Sequence, residues 1–334
     1  MKLRHLILFA AVALLNACSE DIDLTAPYQE TAAIYGLLNA NDSVQYIRVS
    51  KAFLGDGNVY VMAQQVDSVV YGDILDVKIE RIKNSVVLET FNLTRVTIIP
   101  KDSGTFYYPG QVYYKVDRPI TDANSSYWLT VRNTQTGYVA KSTTNLIPDI
   151  TMKVNSPLYN ATTDADFATQ LPITYKFNAT ANSRVFDMEI VFRYREIDPS
   201  GSVSYKSVTI PFNEQFANPT EEVDFQYYRP DFLVALGQSI PVVQGVVRKI
   251  DQLPGGVKPV EYRFYCGTED LYTYYQITQP SSGIVQERPL FTTIENGVGI
   301  FTSRLIHSEF RNLSGNTKAV MDTSRFTRDL NFVF

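Results

Sequence analysis

Residues 186–195 have the sequence FDMEIVFRYR, and this stretch decides the fold class of the chain. Apolar side chains alternate with charged ones along it, which is the period of a half-buried β-strand. The apolar positions are Phe186, Met188, Ile190, Phe192 and Tyr194. A turn-forming segment follows at residues 198–201, Asp-Pro-Ser-Gly, after which the alternation returns at Val208, Ile210 and Phe212. The sequence therefore predicts a β-hairpin within a mainly β protein.

Short strands of the same kind fill the first part of the chain. Residues 77–82 alternate cleanly and turn at Lys83-Asn84, and residues 127–131 are predicted to pair with residues 138–142. About seven short strands with regular turns are typical of an immunoglobulin-like sandwich. We therefore predict an immunoglobulin-like β-sandwich over residues 31–148. We expect Trp128, which lies between Tyr127 and Leu129, to be a core or half-buried residue of this sandwich; the alternative is a ligand platform.

The remainder, residues 149–334, is predicted to form a second β-rich domain with two short helices. Pro148, Pro157 and the polar residues 160–164 mark the boundary. The first helix is expected to start at Pro230 and to be capped by Gly237.

The second helix is expected to start at Thr268, with Glu269 and Asp270 in its first turn. Ahead of it, Val260, Tyr262, Phe264 and Cys266 alternate on one face of a predicted strand. The thiol of Cys266 is therefore expected to be buried in the core.

The first residues of the chain have the pattern of a secretory signal. Lys2 and Arg4 precede ten apolar residues, 6–15, which are too few to span a bilayer core. Residues 15–18, Leu-Asn-Ala-Cys, resemble the lipobox of bacterial lipoproteins. We predict a signal peptide over residues 1–17, lipidation of Cys18 and a tether over residues 18–30.

The acidic residues directly behind Cys18, Glu20, Asp21 and Asp23, resemble the surface-export signal of Bacteroidota lipoproteins. The alternative is a solvated acidic tether, since short charge runs are usually solvated. The sequence thus predicts a lipid-anchored protein of the outer membrane that faces the cell surface. Stable attachment requires two or more acyl chains, which a mature lipoprotein carries.

Charge and cysteine content further limit the classes of function and the covalent links that the chain can have. The chain has 30 basic and 35 acidic residues, and removing Lys2 and Arg4 with the signal increases the acidic excess. An acidic chain has no electrostatic basis for binding nucleic acid. Cys18 and Cys266 are the only cysteines, so lipidation of Cys18 leaves Cys266 without a disulfide partner.

Catalytic constellations are not recognisable in the sequence. His5 leaves with the signal, so His307 would be the one histidine for a hydrolytic triad or a metal site. The adjacent carboxylates Glu221 and Glu222 would point to opposite faces of a strand. The sequence therefore predicts no enzyme, no cofactor and no metal site.

A glycine motif occurs late in the chain, at residues 296–301, with the sequence Asn-Gly-Val-Gly-Ile-Phe. With the lipobox, it is similar to a family of Bacteroidota outer-membrane lipoproteins defined by a domain of unknown function. This resemblance implies an accessory or binding subunit that accompanies TonB-dependent β-barrel transporters. From the residues themselves, Asn296-Gly297 predicts a tight turn, and Gly299 predicts a close approach of backbone or an aromatic ring.

Abundant tyrosine supports an alternative function, a lipoprotein that binds a glycan or nutrient through exposed rings. The adjacent pairs are Tyr107-Tyr108, Tyr113-Tyr114, Tyr227-Tyr228 and Tyr274-Tyr275. On a strand, each pair would place one ring on each face. Half-buried packing of these rings in strands is the other interpretation.

Overall fold

The computed structural model of the protein describes residues 29–52, 58–99, 104, 106–107, 109–278 and 290–334. The fold is mainly β, as the alternating patterns predict. Sixteen strands and five short α-helices are present in the described part of the chain.

The first eight strands form two sheets that face each other. One sheet has the order β1-β2-β6-β5 and the other the order β4-β3-β7-β8. This is the arrangement of strands A-B-E-D against C′-C-F-G in an immunoglobulin-like sandwich. The strands are β1 Thr31–Leu38, β2 Gln45–Ala52, β3 Leu75–Lys83, β4 Val86–Asn92, β5 Thr94–Ile98, β6 Gln111–Val116, β7 Ser126–Asn133 and β8 Val139–Asn145.

One core fills the space between these sheets. Ile34 and Ile47 face it from the first sheet, and Ile79 and Leu129 face it from the second. Two short helices, α1 Val59–Ala63 and α2 Val66–Val69, precede β3.

The rest of the chain adds eight strands and three helices. The strands are β9 Pro172–Asn178, β10 Val185–Ile197, β11 Val203–Pro211, β12 Gln215–Phe216, β13 Glu222–Tyr228, β14 Val247–Lys249, β15 Val260–Gly267 and β16 Gly297–Arg311. The helices are α3 Asp231–Ser239, α4 Glu269–Thr278 and α5 Gly315–Thr323, with 3₁₀ turns at Pro254–Gly256 and Arg328–Leu330. Helices α3 and α4 are the two predicted ones, and α5 was not predicted.

The predicted hairpin is present as β10 and β11, which pair antiparallel from Glu189–Pro211 to Ile197–Val203. Asp198 closes the turn, because its carboxylate accepts hydrogen bonds from the backbone N–H groups of Ser200 and Ser202. The apolar face of β10 packs against β9 and β13, which pair with each other across the second core.

Strand β16 joins the two halves of the molecule. Its first residues, 297–303, pair parallel with β1, and its last residues, 304–311, pair antiparallel with β15. A single sheet therefore continues in the order β11-β10-β15-β16-β1-β2-β6-β5. The same face of this sheet is buried in both cores, since Phe301 lies in the sandwich core and Leu305 lies in the second core.

The two cores separate in sequence near the predicted boundary at residues 148 and 149. The sandwich core ends at Leu146 and the second core begins at Ile147, except that Ile294 and Phe301 belong to the sandwich core. The backbone hydrogen bonding does not separate there, because β16 supplies a strand to both halves.

One local prediction holds only in part, and one was wrong. Trp128 is 47% exposed, because its neighbours Tyr127 and Leu129 face the core and alternation turns Trp128 outward. Gly237 lies inside α3, not at its end. A side chain is excluded there, since a Cβ would lie 2.5 Å from the Phe326 carbonyl oxygen.

Candidate functional site

Cys18, the predicted lipidation site, lies outside the described residues, as do the signal peptide and the tether up to residue 28. Its lipidation therefore stays a prediction. No helix among the described residues has the length and apolarity needed to cross a membrane.

A concave feature lined by aromatic and cationic side chains lies on the outward face of the continuous sheet. Helix α4 lies across β16 there and leaves a groove of about 390 Å³ beside β1, β2 and β6. We call it the tyrosine groove, and define it by Tyr35, Tyr46, Tyr113, Tyr274 and Tyr275 together with Arg48 and Arg304.

Strand alternation places three of these tyrosines on one face. Ile34, Ile47 and Tyr114 are buried in the sandwich core, so Tyr35, Tyr46 and Tyr113 point to the other side of the sheet. Because β1, β2 and β6 are neighbours, residues far apart in sequence become adjacent in the groove.

Helix α4 supplies the opposite wall. Thr268 caps its start as predicted, with its hydroxyl accepting a hydrogen bond from the Leu271 N–H at 3.2 Å. The same hydroxyl lies 2.7 Å from the hydroxyl of Thr302 on β16, which ties the start of the helix to the sheet. One turn further on, the helix directs Tyr274 and Tyr275 to the groove.

The rings in the groove are arranged edge to face. Tyr35 and Tyr274 have centroids 6.3 Å apart, and Tyr46 and Tyr113 have centroids 6.0 Å apart. The Arg48 guanidinium lies 5.9 Å from the Tyr35 ring centroid, within the range of a cation–π contact. Tyr275 is 62% exposed, so much of its ring remains available to a ligand.

Two arginines and one carboxylate, that of Asp42, line the groove. In the described part of the chain, neither Arg48 nor Arg304 forms an ion pair with a carboxylate. The Nε of Arg304 is buried and makes no hydrogen bond there. Burial, with a contribution from Tyr35, raises the pKa of Tyr274 to about 12, so this phenol remains a neutral donor.

A second cavity, of about 280 Å³, adjoins the tyrosine groove and shares Tyr275 and Arg304 with it. Asp187 and Glu214 line this cavity. Burial raises the pKa of both carboxyl groups, and the charge of Asp187 adds to the rise at Glu214.

The four adjacent tyrosine pairs lie in different environments. Tyr114 is buried while Tyr113 faces outward, as expected for a strand. Tyr274 and Tyr275 both line the groove, because they lie on a helix and not on a strand. Tyr228 is exposed on β13, whereas the hydroxyl of Tyr227 is buried. Of the remaining pair, Tyr108 lies outside the described residues.

The residues considered for catalysis are not brought together. Cys266 is buried in the second core as predicted, and burial raises the pKa of its thiol far above the ordinary value. Glu221 accepts hydrogen bonds from Asn218, while Glu222 pairs with lysines that lower its pKa to about 2. No metal-ligating cluster of three or more His, Cys, Asp or Glu occurs among the described residues.

His307 lies between two carboxylates on the core side of β16. Its Nδ1 is 2.7 Å from Asp149 and its Nε2 is 3.3 Å from Glu309. Burial lowers the pKa of His307, but hydrogen bonds and charge from the two carboxylates outweigh it and raise the pKa to about 9. His307 therefore forms an ion-pair cluster with Asp149 and Glu309.

Sequence reasoning missed Tyr35, Tyr46, Arg48 and Arg304 as members of a site. Strand alternation places Tyr35, Tyr46 and Arg48 on the face opposite the buried residues, and this signal is present in the sequence. The order of the strands in the sheet, which brings these residues together, is not present in the sequence.

No protein-family model matches the chain, and no curated protein matches it. Among solved structures, the C-terminal globular domain of an oligosaccharyltransferase from Pyrococcus abyssi is similar to it at 9% sequence identity and a TM-score of 0.19. That match covers 61% of this chain and spans 41% of the length of the other chain. A likeness this distant carries no argument about function.

Proposed function

We propose that this chain is a non-catalytic binding lipoprotein of the outer membrane that faces the cell surface and holds its ligand in the tyrosine groove. The observation that carries the binding function is the convergence of five tyrosines and two arginines in one groove between the sheet and helix α4. The lipobox ending at Cys18 supports the anchor.

The chemistry of the groove favours a glycan or another ligand rich in hydroxyl groups. A tyrosine ring offers an apolar face against the C–H groups of a sugar ring, and its hydroxyl offers a hydrogen bond at the edge. The arginines add fixed donors for hydroxyl or carboxylate oxygens. A volume of about 390 Å³ lies within the range of small-ligand sites.

Glycan-array screening followed by calorimetry tests this proposal. Tyr46→Ala and Tyr275→Ala each remove a partly exposed ring, and we expect each to weaken glycan binding at least about tenfold, which corresponds to about 1.4 kcal/mol. Tyr205→Ala is the matched control, because Tyr205 is comparably exposed but lies on β11, outside the groove. Equal affinities for all three variants and the wild type would refute the groove as the glycan site.

The anchor has an independent test. Replacing Cys18 by alanine should abolish metabolic labelling by a fatty-acid analogue and release the protein from the outer membrane. Protease treatment of intact cells should degrade the wild-type protein if it faces the surface. Labelling that persists in Cys18→Ala would contradict lipidation at this residue, and protection from protease would contradict the surface orientation.

An accessory role beside a TonB-dependent β-barrel transporter extends this proposal. A lipid anchor confines the protein to the plane in which such a transporter lies, so a captured ligand would be delivered over a short distance. Affinity capture from membranes solubilised in mild detergent is expected to recover a β-barrel partner with the protein. Recovery of the protein alone, both with and without mild crosslinking before solubilisation, would contradict the accessory role. This outcome would leave the glycan test unaffected.

A further inference from the structure

Another pocket, separate from the tyrosine groove and from the cavity beside it, lies on the core side of the same sheet. It has a volume of about 570 Å³ and lies between residues 154–166 and the first half of β9. We call it the arginine pocket and define it by the four side chains at its base, Tyr175, Tyr262, Arg229 and Arg311.

Three of the four side chains at the base of the arginine pocket are deeply buried, while Arg229 is partly buried. Tyr175 is fully buried, Tyr262 is 2% exposed and Arg311 is 3% exposed. Burial raises the pKa of both phenols, so their hydroxyl groups stay protonated at neutral pH. Burying polar groups costs free energy unless they are hydrogen-bonded, so each of these groups requires a partner.

Both arginines have partners for some of their nitrogens only. A terminal nitrogen of Arg311 donates to Glu309 at 2.9 Å, and the other donates to the Leu158 carbonyl at 2.9 Å. A terminal nitrogen of Arg229 donates to Asp166 at 3.2 Å. The Nε atoms of both arginines are buried and make no hydrogen bond with any described residue.

The hydroxyl of Tyr175 lies beside that of Tyr262, so the two phenols and the two arginines meet at the base of the pocket. The carboxylate of Asp166, which lies at the edge of the pocket, is already occupied. It accepts from Thr169 at 2.6 Å and from Ser314 at 3.0 Å, in addition to Arg229. The unmatched groups at the base of the pocket, the Nε–H groups of Arg229 and Arg311, are therefore donors.

We propose that the arginine pocket binds the carboxylate group of a small ligand. A carboxylate is an acceptor with two oxygens, which suits a set of guanidinium and phenol donors. One negative charge fits better than two, because Glu309 and Asp166 already neutralise Arg311 and Arg229 in part. The pocket is independent of the tyrosine groove, with which it shares no residue.

Two sources of a carboxylate fit the pocket, an acidic sugar and a simple organic acid. The experiment titrates the full chain with sodium glucuronate, sodium lactate, glucose and inorganic phosphate at constant ionic strength, by calorimetry and by thermal unfolding. We expect saturable binding of at least one carboxylate and a rise in Tm of about 2 °C or more at saturation. Glucuronate binding without lactate binding would assign an acidic sugar, and the reverse would assign a simple acid.

Tyr175→Phe is the decisive variant, because it removes one buried hydroxyl at the base of the pocket and keeps the ring. It should fold with a Tm close to that of the wild type and bind the carboxylate at least about tenfold more weakly. Tyr114→Phe is the matched control, since it removes a buried hydroxyl from the sandwich core and should leave carboxylate binding unchanged.

Three results would overturn the proposal. Absence of saturable binding for both carboxylates would mean that water satisfies the donors. Phosphate or glucose binding as tightly as the carboxylates would refute the ligand class. Unchanged carboxylate affinity in Tyr175→Phe would place the binding elsewhere.

Discussion

At the scale of single residues, Tyr127 fixes the connection between β6 and β7 in the sandwich. It is fully buried at the start of β7, and its hydroxyl donates to the Asp122 carbonyl at 3.0 Å. A tyrosine at this point of strand F that bonds backbone a few residues upstream is the tyrosine corner of immunoglobulin-like domains. One hydroxyl thus holds the loop before β7 against the core.

Replacing this tyrosine by phenylalanine keeps the ring and removes the hydrogen bond. We expect Tyr127→Phe to lower the free energy of unfolding by about 1 to 2 kcal/mol, because the Asp122 carbonyl loses its donor. Urea unfolding followed by circular dichroism measures the change. Tyr205→Phe serves as the control and should change the free energy of unfolding by less than about 0.5 kcal/mol, since Tyr205 is exposed on β11. Equal losses in both variants would contradict a specific role for the corner.

At the scale of elements, the joint between β1 and β16 depends on a glycine. Gly299 has a φ of +109°, and a Cβ there would lie 2.1 Å from the Ile34 carbonyl oxygen of β1. The predicted close approach of backbone at Gly299 is therefore confirmed. The predicted tight turn is also present, with Asn296 at a φ of +55°.

Gly299→Ala is accordingly expected to disrupt the parallel pairing of β1 with β16. A loss of more than about 2 kcal/mol in the free energy of unfolding is expected, because the side chain meets backbone that cannot move without breaking the sheet. Thermal unfolding of the purified chain measures it. Gly72→Ala is the control, since its Cβ would meet no atom within 4 Å. A Gly299→Ala variant as stable as Gly72→Ala would show that β16 accommodates a side chain.

At the scale of the whole molecule, an ion-pair cluster ties the segment between the two cores to β16. Asp149 belongs to that segment, and His307 on β16 pairs with it and with Glu309. Glu309 in turn pairs with Arg311, whose other contacts hold residues 158–160. The cluster therefore connects the junction to the loop that walls the arginine pocket.

This cluster predicts a pH dependence of stability on the alkaline side. The pKa of His307 is raised from 6.5 to about 9, so its contribution is complete below pH 6.5 and is lost as the pH rises through 9. We expect the stability difference between wild type and His307→Gln to shrink by about 1 to 2 kcal/mol over this window. One pKa unit corresponds to about 1.4 kcal/mol, and the exposure of Asp149 reduces the effect.

Urea unfolding of both proteins at intervals from pH 6 to pH 10 measures the difference. Comparing the two proteins cancels the titration of lysines and tyrosines that they share. A difference that stays constant across the range would show that His307 is not held as a cation.

Much of the β structure was accessible from the sequence because alternation is a local signal. The β10–β11 hairpin, the buried face of β15 with Cys266 and the cap of α4 at Thr268 were predicted from residues close in the chain. The face of Trp128 was left open although its strand was correct, because an apolar residue between two others gives no indication of which alternate positions face the core. In the structure, Tyr127 and Leu129 pack into the core, so Trp128 faces outward.

The sequence by itself determined the mainly β class and strands such as the β10–β11 hairpin, while lipidation of Cys18 stays a prediction. Only the tertiary structure decided which strands are neighbours, that β16 serves both halves, and that Tyr35, Tyr46, Tyr113 and Tyr274 meet in one groove. The physical reason is the distance along the chain over which each kind of interaction acts. Alternation and turn chemistry act over a few residues, whereas strand order arises from burial of whole faces and from backbone pairing between segments more than 250 residues apart, such as Ala32 with Gly297.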